Sequence, residues 1–164
     1  CSKMLAERIF GINGDDAYLC GILHDFGLIV EEQVATEDFI KACEECGLED
    51  SLPEVERSLL GTDHCEIGFL MTRDWEMPET IQIAIRDHHN DDADTPPESL
   101  TGILQLAEYL TNQLDYDAIQ GVKQKLPAHL LGHIQENLDE YQVLLDDLPE
   151  EISKARDIYG SEGN

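Results

Sequence analysis

The sequence predicts an all-α fold, and two observations carry this prediction. Apolar residues recur at the three- and four-residue spacing of an amphipathic helix, as at Ile81, Ala84 and Ile85. No stretch alternates between apolar and polar residues over the length of a β-strand. A chain of 164 residues, 41% of them hydrophobic, is also long enough to bury a core of its own. We therefore expect a single helical bundle.

Glycines and prolines divide the N-terminal half into short helical segments. Asp15 and Asp16 are expected to cap the second helix, and Gly27 is expected to end it. Pro53 opens a later helix that should stop at Gly61. The predicted segments are Cys1 to Phe10, Asp15 to Asp25, Leu28 to Val34, Glu37 to Cys46, Glu54 to Leu60, His64 to Trp75 and Pro78 to His89.

The predicted helix that begins at His64 has both a capping signal and a predicted core-facing side. The pair Thr62-Asp63 directly before it is expected to act as its N-terminal cap. Gly68 is expected to allow the close approach of a neighbouring helix. The residues expected to face the core are Ile67, Leu70, Met71 and, at its end, Trp75.

The C-terminal half begins with a polar loop, Asn90 to Pro97. Helices are predicted after it for Glu98 to Leu114, Tyr116 to Lys125, Ala128 to Leu145 and Pro149 to Tyr159. We expect one domain over residues 1–160 and a disordered tail over residues 161–164. Because the first segment has no capping signal ahead of it, we also expect the N-terminal part of the domain to precede Cys1.

The net charge of the chain argues against some classes of binding partner. It holds 36 acidic residues against 10 basic ones, a formal net charge of −26 at pH 7. Such a surface repels nucleic acids and anionic membranes, so neither is an expected partner. The sequence has no apolar run long enough for a membrane span and no signal-peptide pattern at its start. A phosphorylated ligand would need a bound cation or a local basic pocket.

The cysteines indicate a reducing, cytoplasmic setting. Their number is odd, and the positions 1, 20, 43, 46 and 65 form no paired framework. The Cys43-x-x-Cys46 pair has no second half at zinc-finger spacing, so a structural role is favoured for it.

A group of ionisable residues stands at the ends of predicted helices or beside their apolar stripes. Imidazole and carboxylate together suit iron, manganese, zinc or magnesium, and bundle folds build metal sites between facing helices. Spacing alone leaves two interpretations open, a shared metal site and separate hydrogen-bonded histidines. The candidate residues are His24, Asp25, His64, His88, His89 and Glu108.

Other polar clusters are interpreted as surface. His129 and His133 have the helical spacing of a two-histidine site, but no carboxylate follows at a diagnostic position. The acidic pairs expected to be solvated are Glu31-Glu32, Asp91-Asp92 and Asp146-Asp147.

Four motifs in order resemble the HDOD family, the signal-output branch of the HD-domain metal-dependent phosphohydrolase superfamily and a relative of the HD-GYP phosphodiesterases. The resemblance runs from residue 1 to about Leu114. The motifs are Ile22 to Gly27 (ILHDFG), Leu60 to Gly68 (LGTDHCEIG), Trp75 to Pro78 (WEMP) and Ala84 to His89 (AIRDHH).

The resemblance implies an HD-like helical bundle and a role for each candidate residue. His24 and Asp25 would be the HD doublet of a centre that holds one or two divalent ions. Asp25 would be its bridging ligand and its catalytic residue. His64, His88 and His89 match the histidines that bind a second metal in HD-GYP relatives. Glu108 stands where the family usually has an aspartate ligand. Arg86 is the nearest candidate for an anion contact, with a surface ion pair as its alternative role.

Three departures from the superfamily bear on catalysis. Leu28 replaces the lysine that usually follows the HD-x-G turn and can hold a phosphate oxygen. The segment after His89 lacks the Gly-Tyr-Pro sequence of the cyclic-dinucleotide phosphodiesterases. The first metal-binding histidine of the family would fall just before Cys1.

Two functions of different classes follow from the resemblance. The favoured one is a regulatory output domain for signal transduction, which keeps the metal-site scaffold with weak or no catalysis and acts on other signalling domains or proteins. The alternative is a metal-dependent phosphohydrolase or phosphodiesterase acting on a phosphorylated small molecule or cyclic nucleotide. In the enzyme, metal ions would activate water and polarise a phosphoryl oxygen. Whether the metal itself is retained is left open.

Overall fold

The computed structural model describes residues 1–47, 50–91, 94–116, 119 and 125–160. This part of the chain is helical and contains no strand, which confirms the all-α prediction. None of its helices is both long and apolar enough to cross a membrane. In order, the elements are α1 (Ser2–Met4), which continues as a π-helical turn (Leu5–Ile9), α2 (Asp15–Leu23), α3 (Phe26–Val34), α4 (Thr36–Glu45), α5 (Leu52–Leu60), α6 (His64–Asp74), α7 (Glu79–Asp87), α8 (Leu100–Gln113), α9 (Ala128–Glu136) and α10 (Leu138–Gly160).

Helix α8 is the central element of the bundle. Its N-terminus is capped by Ser99, whose hydroxyl accepts the Gly102 amide at 3.1 Å. One side of α8 places Ile103 and Leu106 in an apolar cluster with the first helical segment, α9 and α10. The other side places Leu104 in a second cluster with α2 and α7. Helix α8 therefore packs against both α2 and α7.

The junction between α2 and α3 differs from the prediction. Gly14 is the N-cap of α2, and the side chain of Asn13 accepts the Asp15 amide at 2.7 Å, so the expected capping by Asp15 and Asp16 was wrong. The chain makes one turn after Leu23 and resumes as α3, which contains Gly27. Gly27 therefore does not end a helix. Its missing side chain allows α3 to lie against the backbone of α6, because a Cβ there would be 2.1 Å from the His64 carbonyl oxygen.

Helix α6 begins as predicted, but a different face of it is buried. Asp63 caps the helix by accepting the Glu66 amide at 2.9 Å. Leu70, expected in the core, is 39% exposed, and Ile67 and Met71 are only partly buried. The face between α3 and α7 consists of His64, Cys65, Gly68 and Thr72.

Two glycines explain this rotation of α6. Gly27 brings α3 against the start of the helix, and Gly68 allows the close approach that the sequence predicted, since a Cβ there would lie 2.9 Å from Ile85 Cγ2. Trp75, also expected in the core, lies just past the end of α6 and is 48% exposed. It makes an edge contact with Phe26 at a ring distance of 6.0 Å.

The C-terminal region is divided differently from the prediction. The expected Ala128 to Leu145 helix breaks at Asn137, and Pro149 lies inside α10 instead of starting a new helix. A proline within a helix costs about 3 kcal/mol. Here the buried side chains of Tyr141, Leu144 and Leu148 hold α10 on the core and offset that cost. Most of the predicted Tyr116 to Lys125 helix, and the expected tail at 161–164, lie outside the described residues.

Candidate metal centre

The six candidate residues from four separate segments of the sequence meet at one place. His24 and Asp25 follow α2, His64 starts α6, His88 and His89 follow α7, and Glu108 lies within α8. A cavity of about 540 Å³ opens beside them. The lining residues that belong to the candidate set are His24, Asp25, His64, His89 and Glu108.

Three of the histidines are anchored through the same ring atom. Nδ1 of His24 lies 3.2 Å from the Gly21 carbonyl, and Nδ1 of His88 lies 2.6 Å from the Ile85 carbonyl. Nδ1 of His64 lies 2.7 Å from Oε2 of Glu56. Because each partner is an oxygen acceptor, each Nδ1 must donate its proton. The Nε2 atoms then face the other candidate ligands, an orientation that is usual for metal-binding histidines.

Helix ends provide two of these anchors. His24 and His88 each bond to the carbonyl three residues earlier, at the last turn of α2 and α7. Carbonyls in that turn lack partners within the helix, so a histidine just past the end can satisfy one of them. Local contacts within three residues therefore help to orient both rings.

The Nε2 atoms surround the carboxylate of Asp25. Oδ2 lies 3.3 Å from His24 Nε2, and Oδ1 lies 3.7 Å from His88 Nε2 and 4.0 Å from His64 Nε2. Two ligands that each bind one ion at about 2.1 Å lie about 3.0 to 3.4 Å apart. The observed spacings equal or slightly exceed that range. The two carboxylate oxygens also face different histidines, which suits a bridging role.

Glu108 closes the other side of the group. Its Oε1 lies 3.7 Å from His24 Nε2 and 3.9 Å from His89 Nε2. Its Oε2 is buried and has no hydrogen-bond partner. The extra methylene relative to aspartate therefore does not keep Glu108 away from the histidines.

Burial and mutual charge leave the histidines in different protonation states. Burial lowers the pKa of His24 to about 4, although the Asp25 charge opposes this. Burial and then the neighbouring His88 hold the pKa of His89 well below its usual value. Burial also disfavours a charge on His64, but hydrogen bonds with Cys65 and Glu56 raise its pKa to about 10.

In the remaining groups, burial and the neighbouring charges also shift the pKa in opposite directions. Burial opposes a charge on His88, but the charges of Cys65 and Glu108 raise its pKa well above the usual range. Burial opposes ionisation of Asp25, yet His24 and His88 hold its pKa well below the usual range. Burial raises the pKa of Glu108 to about 8 despite the opposing charge of His88. Nitrogen and carboxylate donors crowded in this way fit a divalent cation, whose binding would release the protons held by His64 and His88.

Sequence reasoning missed Cys65. The residue is 3% exposed, and its Sγ lies 3.5 Å from Nε2 of His64. Burial opposes thiolate formation, but His88 and His64 together lower the pKa of Cys65. Successive residues of a helix point about 100° apart, so the position of Cys65 beside His64 gave no sign of this contact. The contact depends on the end of α7 lying across the first turn of α6.

A buried pair of glutamates lies behind His64 and was also missed. Glu31, expected on the surface, is 2% exposed, and that prediction was wrong. Gly27 allows α3 to pack closely against α6. Glu31 lies one turn after Gly27 on the same face of α3, so its side chain is buried in the same contact. One atom each of Glu31, Glu56 and His64 lie within 4.8 Å of one another. Burial and the Glu56 charge raise the pKa of Glu31 to about 8.

The side chains of the other candidates, Arg86, His129 and His133, are engaged in contacts outside this group. Arg86 binds its neighbour Asp87 through two bonds of 2.7 and 2.8 Å and sits over the Phe69 ring. It does not line the cavity of about 540 Å³ but lines a second one together with Cys65 and His89, and its contact with an anion stays a prediction. His129 bonds to a backbone carbonyl at 2.8 Å, and His133 stacks on Phe10 at 5.4 Å.

Comparison with known proteins identifies the family of this chain. The family model of the HDOD domain matches residues 1–91. The chain belongs to the HDOD family. The matched region contains His24, Asp25, His64, His88 and His89 of the centre, whereas Glu108 lies beyond it.

The HDOD chain also resembles individual proteins. It is 34% identical over 76 residues to an uncharacterised protein of Treponema pallidum (strain Nichols), a match covering 46% of this chain and 15% of that protein. A crystal structure from Marinobacter aquaeolei VT8, provisionally named a signal transduction protein, aligns with a TM-score of 0.69 at 26% identity. That alignment covers 88% of this chain and 32% of the other.

A second solved structure shares the fold alone. It comes from Shewanella amazonensis SB2B, is provisionally named a phosphohydrolase, and aligns with a TM-score of 0.56 at 22% identity. The alignment covers 82% of the HDOD chain and 54% of that structure. The chain thus spans between 15% and 54% of the length of these relatives.

Proposed function

We propose that this HDOD chain is a regulatory output domain that binds a divalent metal and passes a signal to other domains or proteins, with weak or no catalysis. One observation supports the proposal most directly. The assembled nitrogen and oxygen donors open into a cavity that Leu28 lines, and Leu28 stands at the position after the His24-Asp25 turn where a lysine would be expected. The signal transduction name of the Marinobacter relative supports the same class of function. The free cysteines support a reducing, cytoplasmic setting.

The metal would be held by the donors already in place. Nε2 of His24, His64 and His88 would bind it around Asp25, with His89 and Glu108 completing the set. Iron, manganese, zinc and magnesium all accept such ligands. In this role the ion joins residues that follow or begin α2, α6 and α7. Its binding and loss would then change how those helices pack, which is a signal that a neighbouring domain can detect.

The acidic and apolar side chains that line the cavity do not favour efficient phosphoryl transfer. Carboxylates of Asp50, Glu54 and Asp91 line it together with Leu28. Among the described lining residues, Lys125 is the sole lysine or arginine. Catalysis of phosphoryl transfer depends largely on positive groups placed at the developing negative charge. A wall of this composition favours a site that binds metal and turns over phosphorylated compounds poorly.

The second candidate is a metal-dependent phosphohydrolase, and the size of the cavity favours it. A volume of about 540 Å³ is within the range of small-molecule sites and would admit a phosphorylated metabolite or a cyclic nucleotide. A bound divalent ion would act as a Lewis acid on a phosphoryl oxygen. The residues of the chain would orient the phosphate against the centre, with Asp25 as the central ligand.

Metal content and hydrolysis measured on the same protein separate the two functions. The protein is loaded with iron, manganese or zinc, its bound metal is measured, and phosphomonoesters and cyclic dinucleotides are offered as substrates. We expect about one or two ions for each chain and no turnover. Asp25→Asn should lose the metal, whereas Asp16→Asn, an exposed aspartate on α2, should retain it. Metal-dependent turnover that disappears in Asp25→Asn would establish the enzyme instead.

Introducing a lysine at the cavity tests whether the missing positive side chain limits phosphate binding. Leu28→Lys places an ammonium group at the cavity, and Val34→Lys adds the same charge to α3 at a surface position. We expect metal-loaded Leu28→Lys to bind inorganic phosphate more tightly than the parent chain and Val34→Lys to bind it equally. Equal phosphate affinity in all three proteins would show that the missing lysine does not limit anion binding.

A further inference from the structure

The metal centre contains a sulfur atom in addition to its nitrogen and oxygen donors. Cys65 follows His64 at the start of α6 and is buried. It belongs to neither apolar cluster, whereas Cys20, another buried cysteine, packs among apolar side chains beside Leu23 and Ile81. The contacts of Cys65 are with the imidazoles of His64 and His88. Its surroundings are those of a ligand and not those of a small apolar residue.

The distance between sulfur and nitrogen matches that between two ligands of one metal ion. Sγ of Cys65 lies 3.5 Å from Nε2 of His64. A tetrahedral zinc ion binds sulfur at about 2.3 Å and imidazole nitrogen at about 2.0 Å, which separates the two atoms by about 3.5 Å. Donor atoms of His64, Cys65, His88 and His89 all lie within 4.8 Å of one another.

We propose that Cys65 is a thiolate ligand of a zinc-type position formed with His64, His88 and His89. This inference rests on the proposed function, since it requires that the centre binds metal. In this arrangement His64 and His89 would bind the ion on the Cys65 side, and His24, Asp25 and Glu108 would form the oxygen-rich group beside it. His88 lies in both groups, and its one Nε2 lone pair would bind an ion on one side only. The centre then has a sulfur and nitrogen side next to a carboxylate and nitrogen side.

The sulfur ligand changes which metal the centre prefers. Thiolate is a soft ligand that zinc and other late first-row ions accept, whereas magnesium and manganese prefer oxygen. Nitrogen and carboxylate donors alone do not discriminate among iron, manganese, zinc and magnesium. The chain should therefore bind zinc or cobalt at the Cys65 side in preference to manganese or magnesium.

Cobalt provides a direct probe of the sulfur, because a thiolate bound to Co²⁺ gives a charge-transfer band in the near ultraviolet that nitrogen and oxygen ligands do not give. Co²⁺ is titrated into the metal-free chain, and into Cys65→Ser, Cys65→Ala and Cys20→Ala. We expect the band in the parent chain and in Cys20→Ala, and its absence in both Cys65 variants. Zn²⁺ affinity should fall at least about tenfold in Cys65→Ser, while Mn²⁺ affinity changes little.

The outcomes separate this inference from the proposed function. Stoichiometric Co²⁺ binding by the parent chain without the charge-transfer band overturns the thiolate ligand and leaves metal binding intact. Absence of any metal binding by the parent chain overturns both. A band that persists in Cys65→Ser assigns the sulfur to another cysteine and also overturns the inference. Loss of the band is scored only in a Cys65 variant that still binds Co²⁺, and the serine and alanine variants provide two independent chances of a folded protein.

Discussion

Nδ1 of His64 lies 2.7 Å from Oε2 of Glu56, and both side chains are buried. The same carboxylate oxygen accepts the backbone amide of His64 at 3.1 Å. Glu56, on α5, therefore fixes both the first residue of α6 and the orientation of its ring. Since Nδ1 is held from behind, Nε2 faces Asp25 and Cys65.

Removal of Glu56 should weaken metal binding without removing a ligand. Loss of the group behind a metal-bound histidine typically reduces metal affinity by about 10- to 100-fold. We expect a loss of that size in Glu56→Ala and a smaller one in Glu56→Gln, whose amide oxygen still accepts the Nδ1 proton. Calorimetric titration with Zn²⁺ measures both. Glu32→Gln, at an exposed site on α3, is the control, and an unchanged affinity in Glu56→Ala would contradict the orienting role.

Glu31 should make the stability of the metal-free chain fall as the pH rises from about 5 to about 8. Burial and the Glu56 charge raise the pKa of Glu31 to about 8 in the folded chain, whereas in the unfolded chain it is close to 4.5. Between these values the folded state holds a proton that the unfolded state has released. Each further increase in pH therefore favours unfolding until Glu31 has ionised in both states.

Glu31→Gln removes this titration and should stabilise the chain most at pH 8 and least at pH 5. Melting temperatures of the metal-free parent and variant over this range measure the difference. Glu32→Gln should leave the parent profile unchanged. A constant difference between Glu31→Gln and the parent at every pH would show that the effect of the substitution is not the proton on Glu31.

The features that could be predicted from the sequence depend on nearby residues. The end of α5 at Gly61, the cap of α6 by Asp63 and the buried stripe of α7 at Ile81, Ala84 and Ile85 all follow from local chemistry. The convergence of the candidate histidines required the family resemblance, because spacing along the chain does not bring α2, α6 and α7 together.

The features that were missed depend on how helices pack against each other. Burial of Glu31 follows from the contact between Gly27 and the backbone of α6, which no periodicity records. The exposure of Leu70 follows from the same rotation of α6. The position of Cys65 beside His88 requires the end of α7, more than twenty residues later in the chain, to lie across the first turn of α6.

Loss of the α6 cap should reduce stability, because Asp63 holds the turn that precedes His64. Its carboxylate accepts the Glu66 amide and also binds Arg57. Replacement of a capping side chain by alanine typically costs about 0.5–2 kcal/mol. We expect Asp63→Ala to lower the free energy of unfolding by that amount in urea titrations. Arg57→Ala should cost less, since Arg57 is exposed, and an equal loss in both variants would attribute the effect to the ion pair and not to the cap.

Gly27→Ala should destabilise the chain and disturb the metal centre together. A Cβ at this position would lie 2.1 Å from the carbonyl oxygen of His64, so the backbones of α3 and α6 would have to separate. Overpacking of this kind usually costs about 1–3 kcal/mol, and movement of His64 should also weaken Zn²⁺ binding. Gly132→Ala is the matched control, because a Cβ there meets nothing within 4 Å and alanine favours a helix by about 1 kcal/mol. Urea titration and Zn²⁺ calorimetry on both variants check the prediction. Parent-like stability and Zn²⁺ affinity in Gly27→Ala would mean that the contact between α3 and α6 does not hold His64 in place.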